Sequence, residues 1–151
     1  MKNKYYTPSI EEFHVGFEFE YLTPSGQWLP FKCYEETPDG KIDWRALRPK
    51  NLKDCRAKHL DKGDIESLGF EYAGGSMVKN ATDEFTIDYN DPRGICDKVA
   101  ILYNYSSKWC LVTQGGYETP YRDWTTRFAG HIKNKSELKQ IFKMLGVDYG
   151  K

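Results

Sequence analysis

Between Phe13 and Leu22 the side chains alternate without a break: Phe13, Val15, Phe17, Phe19 and Tyr21 on one side, His14, Gly16, Glu18 and Glu20 on the other. A period of two belongs to a strand with one face on a core and the other in water; a helix cannot satisfy it. Strands need neighbours, so the pattern commits the surrounding chain to a sheet. The turn Thr23-Pro24-Ser25-Gly26 leads into the expected partner, from about Gln27 to Tyr34. Pro30 cannot donate to a ladder, which places that partner at a sheet edge.

The rest of the chain reads the same way. Residues 35–54 are punctuated by Pro38, Gly40 and Pro49 and read as irregular. A short strand is expected around Arg56 to Leu60, then one or two helical turns between Asp61 as N-cap and Gly69 as stop. Phe70 to Ala73 is extended, and Phe85, Ile87 and Tyr89 alternate before the turn Asn90-Asp91-Pro92-Arg93-Gly94. Ile95 to Tyr105 pairs with Trp109 to Thr113 across Ser106-Ser107, Gly115-Gly116 reads as a turn, and Thr125 to Lys133 is the last strand. Asn134 then caps a helix with Glu137 at its third position, carrying Leu138, Ile141, Phe142 and Leu145 at helical spacing as far as Gly146. The expected fold class is α+β, mainly antiparallel sheet: seven or eight short strands, a C-terminal amphipathic helix and one short internal helix. A half-barrel curled over the helix is one way to close it. At 151 residues, one domain over 1–151 is the natural size.

Cys33, Cys55, Cys96 and Cys110 show no metal-ligand spacing, and the opening MKNKYYTPSIEE has no apolar stretch of the kind that directs secretion. No run of 18 apolar residues occurs, so no membrane span is expected. The expectation is a cytoplasmic protein with free thiols in its core.

Charge is balanced overall, with 22 bases and 22 acids, but it is segregated along the chain. Residues 9–39 hold seven acids and one base, whereas residues 41–62 hold eight bases against three acids. Residues 64–97 are again acidic and residues 98–151 basic. Such blocks suit a charged macromolecular partner, although charge runs also form ordinary solvated faces. Trp44, Arg45, Arg48, Lys50, Lys53, Arg56 and Lys58 form the candidate contact segment, able to follow a phosphate backbone while Trp44 stacks on a base. Aromatic residues reach 15% of a chain whose mean hydropathy is −0.73, more rings than its core requires. Tyr and Trp with one edge in water serve well as binding anchors, and they also favour strands for packing reasons alone.

Candidate chemistry is sparse. His14, Glu18 and Glu20 share one strand face with Gly16 leaving room between them, a set that could hold a divalent cation or divide acid and base roles. The same residues also describe the solvent face of any amphipathic strand. The G-x-E-x-E spacing is similar to the metal-binding opening of ATP-dependent carboxylate–amine ligases, but no further nucleotide-binding segment accompanies it. Asp88-Tyr89-Asn90-Asp91 begins like a calcium loop and fails at Arg93 and Val99, where Gly and Glu are required. No phosphate-binding glycine loop and no nucleophile signature is present.

Three stretches resemble small uncharacterised proteins of Bacteroidetes and their phages: Tyr6 to Glu20, Arg56 to Phe70, and Ile132 to Gly146. They fall at both ends and in the middle. That group has no established activity, so the resemblance implies context and no site residues: a short accessory protein, of the kind that often inhibits a host defence component as anti-CRISPR proteins do. The leading expectation is a non-enzymatic binding protein without a cofactor. Its partner would be a host protein or ribonucleoprotein, with RNA as a second target of the basic segment and no membrane. The alternatives are a small metal-assisted enzyme using His14, Glu18 and Glu20, a sponge for a nucleotide ligand in an aromatic groove, and a plain assembly subunit.

Overall fold

A computed structural model describes residues 3–13, 16–33, 51–75, 82–90, 96–116, 124–147 and 149. The chain divides into two compact units, Met1–His59 and Leu60–Lys151. Among the described residues nine strands lie in two antiparallel sheets, and the fold is α+β with sheet predominant, as the sequence patterning leads one to expect.

The first unit holds β1 (Tyr5–Tyr6), β2 (Glu18–Leu22), β3 (Trp28–Lys32) and β4 (Cys55–Lys58), in the spatial order β1-β4-β2-β3. β2 and β3 form a hairpin in which Phe19 faces Phe31 and Tyr21 faces Leu29. Among the described residues β3 pairs only with β2, so Pro30 does sit on an edge strand. The alternating stretch is shorter as a strand than its pattern suggests. Ser9 and Glu12 form a capping box around a 3-10 turn at Ile10–Glu12, and Gly16 takes a left-handed φ of +84°. The Gly16 N–H donates to the Cys33 carbonyl, and the Cys33 N–H donates to the Phe17 carbonyl. Two residues thus oppose one, in the manner of a bulge with glycine at its first position, and the regular ladder starts only at Glu18. Phe13, Phe17, Phe19, Cys33, Cys55 and Ala57 form the core of this unit.

The second unit is a five-stranded meander: β5 (Glu71–Gly75), β6 (Thr82–Asn90), β7 (Cys96–Asn104), β8 (Trp109–Gly116) and β9 (Thr125–His131), each pairing with the next. Among the described residues two helices accompany it, α1 (Lys62–Glu66) and α2 (Lys135–Leu145). Val99, Ile101 and Tyr103 point inward from β7 and meet Leu138 and Phe142 of α2 and Ile65 of α1 in one buried cluster. Both helix starts follow the capping rules. Asp61 accepts from the Asp64 N–H and Asn134 from the Glu137 N–H, and Gly146 closes α2 at φ +68°. Gly115-Gly116, expected as a turn, instead ends β8. The Trp124 ring covers Gly115 so closely that a Cβ there would clash with the indole, so the missing side chain makes room for a ring rather than for a bend.

Candidate binding face

The strand period sorts the first unit's side chains into two faces. Phe19, Cys55 and Ala57 go inward; Glu18, Glu20, Trp28, Pro30, Lys32, Arg56 and Lys58 go to the opposite face. β1 adds Tyr5, which pairs with Lys58.

Arg56 organises this outer face. Its Nε donates to Glu20 Oε2 at 2.5 Å, across the register pair Glu20–Arg56. Its guanidinium carbon lies 3.9 Å from the Tyr5 ring centroid and 4.3 Å from that of Trp28. Both rings are therefore within cation–π range, and three residues from three strands hold one planar cation in place. Glu18 faces Lys32 across the hairpin with 3.9 Å between charged atoms. A cleft of about 550 Å³ opens here, lined by Tyr5, Glu20, Pro30, Lys32, Arg56 and Lys58 among others. That volume is in the range that accommodates a peptide side chain or a small molecule.

Of the expected contact segment, Arg56 and Lys58 lie in the cleft, and Lys53 lies exposed in the 3-10 turn Leu52–Asp54. Trp44, Arg45, Arg48 and Lys50 lie outside the described residues. Of the expected cation set, Glu18 and Glu20 do share a face, each opposite a basic side chain, and His14 lies outside the described residues. Among the described residues no group of three or more His, Cys, Asp or Glu side chains could hold a metal ion. His59 stacks on Tyr6 at 4.6 Å, and His131 meets Trp109 edge-on at 5.2 Å.

The thiols of the core are chemically quiet. Burial, with the nearby Cys55 thiol second, pushes Cys33 up to about 11. Burial alone pushes Cys110 up to about 12, and burial followed by the Asp54 carboxylate raises Cys55. A thiol held protonated is a poor nucleophile.

Sequence reasoning did not single out Tyr5 and Trp28, which the structure places against Arg56 on this face. The signal for Trp28 was present: the same period that puts Leu29 and Phe31 on one side puts Trp28, Pro30 and Lys32 on the other. Tyr5 gave none, because β1 has only two residues and is fixed by its pairing with β4.

No helix among the described residues is long and apolar enough to cross a membrane. No family model, curated protein or solved structure matches the chain.

Proposed function

We propose that this protein is a non-enzymatic binding protein that engages another protein through the outer face of its first sheet. The observation that carries the reading is the Tyr5–Arg56–Trp28 cluster beside an open cleft. Trp, Tyr and Arg are the residue types that supply most of the energy at protein interfaces, and they do so when clustered. Here the rings and Glu20 restrain the Arg56 side chain in advance, which lowers the entropy lost on binding. The acids interleaved on this face favour a protein over a nucleic acid. A phosphate chain following Lys32, Arg56 and Lys58 would also meet Glu18 and Glu20.

The resemblance to proteins of Bacteroidetes and their phages supplies the context for the partner. On this reading the protein is a phage-encoded inhibitor, anti-CRISPR-like, acting on a defence nucleoprotein in the host cytoplasm. A tagged pull-down from host lysate tests it, with and without nuclease, comparing the natural protein with a Trp28→Ala, Arg56→Ala variant whose circular dichroism is unchanged. The expected result is a defence nucleoprotein retained after nuclease and lost with the variant. Recovery that disappears with nuclease would move the contact to RNA and to residues 41–62. Equal recovery by the variant would overturn the assignment of this face.

A further inference from the structure

We infer that the group this cleft takes from its partner is a single carboxylate, an Asp or Glu side chain in an acidic peptide segment, held by the two Nη groups of Arg56. The inference rests on the reading of the outer face as a protein-binding surface and names what that surface recognises.

A guanidinium carries five N–H donors in a planar fork. In Arg56 the Nε–H goes to Glu20, and among the described residues no acceptor meets either Nη. The side chain keeps 28% of its surface accessible. Tyr5 and Trp28 hold the plane in place while the Nη edge keeps its donors. Two parallel N–H groups on a fixed plane match the two oxygens of a carboxylate, and pre-fixing them removes the entropy that a mobile Arg would lose.

Charge selects among oxyanions. Among the described residues, Glu18 and Glu20 stand in the cleft beside Lys32, Arg56 and Lys58. A phosphate dianion beside these two fixed carboxylates is repelled about twice as strongly as a monoanion, so a carboxylate is the favoured oxyanion. The cleft is also larger than one carboxylate, and Pro30 and the Tyr5 ring give it an apolar wall. The matching peptide therefore carries an apolar residue next to its acid.

The Arg56 Nε–H signal in nitrogen-edited NMR spectra of the full chain reads this directly. The probes are acetyl-Leu-Asp-Leu-amide, the same peptide with Asn for Asp, the same peptide with phosphoserine, and inorganic phosphate. The Asp peptide should shift the signal saturably, and at least tenfold more tightly than the Asn peptide, with both phosphate probes weaker. Arg56→Lys keeps the charge but not the fork, and should lose the Asp preference while its amide spectrum remains that of the folded protein. Equal response to Asp and Asn, tighter binding of either phosphate probe, or no saturation by about 20 mM, well above the millimolar affinity of a single anchor, would each overturn the carboxylate assignment. If the Trp28→Ala, Arg56→Ala variant nevertheless loses its captured partner, the binding face stands and only the carboxylate falls. If it keeps the partner, both fall.

Discussion

Arg56 and Trp28 should be energetically coupled even before any partner binds, and a double-mutant cycle measures this. The guanidinium reaches two rings, at 3.9 Å and 4.3 Å, and each contact at a partly exposed site is worth roughly 0.5–1 kcal/mol. The Glu20 pair is made by side chains 28% and 29% accessible and adds about 1 kcal/mol at most once water screening is allowed for. Arg56→Met keeps the aliphatic stem and removes all three contacts. The first unit should therefore lose about 1–3 kcal/mol before the methionine's own packing offsets part of it. Trp28→Ala removes one ring contact plus whatever apolar area the indole covers. The coupling free energy between the two substitutions isolates the shared contact and should be about 0.5–1 kcal/mol. Urea unfolding followed by far-ultraviolet circular dichroism gives the four stabilities, read from midpoints at constant slope. Circular dichroism is the right signal because one variant deletes a tryptophan. A coupling within error of zero would mean that guanidinium and indole are not in contact in solution, and the argument for a restrained Arg56 would fail with it.

Other parts of the structure give five further outcomes. Phe142→Ala should cost about 3–5 kcal/mol in thermal or chemical unfolding, because the ring is fully buried and stacks on Phe70 at 5.0 Å. Met144→Ala, two residues on but 73% exposed, should stay within about 0.5 kcal/mol of the natural protein. Gly115→Ala should destabilise by about 1–3 kcal/mol and change Trp124 fluorescence, because the new methyl displaces the indole. Stability should fall as pH rises from about 9 toward 12. The unfolded chain releases its thiol protons near 9.0, whereas folded Cys33 and Cys110 hold theirs to about 11 and about 12, so the unfolded state binds fewer protons across that window. A pH series of urea midpoints checks the sign. Site-resolved thiol labelling should leave Cys33, Cys55 and Cys110 unmodified until the protein unfolds.

How legible the fold was depended on where its determinants lie. α2 could be read in full because cap, apolar stripe and closing glycine all fall within Asn134 to Gly146. The β7–β8 hairpin was equally local: Asn104 accepts from the Ser106 and Ser107 N–H groups and sets the turn where its sequence suggests. β2 was misjudged at its start because alternation alone does not register a left-handed glycine. The period runs through Gly16 on paper, but the Cys33 pairing that turns it into a bulge comes from 17 residues further on. Gly115-Gly116 failed for a related reason, since two glycines usually signal a turn and here accommodate the Trp124 ring.

The proposed binding face was legible only in halves. The sequence put Glu18 and Glu20 together on one strand and Arg56 with Lys58 on another, and treated them as a cation site and an anion site respectively. Antiparallel pairing of β2 with β4 joins them, with Glu20 directly opposite Arg56. Each set then changes the other's chemistry. The carboxylates face bases that compete with a metal ion, while the bases are interleaved with acids that repel a phosphate chain. Among the described residues, what stands out after this mutual compensation is one restrained guanidinium between two rings. On the proposed reading that combination would discriminate by shape and by single charges, which is how proteins recognise one another's side chains, rather than by the summed field that draws a protein onto nucleic acid.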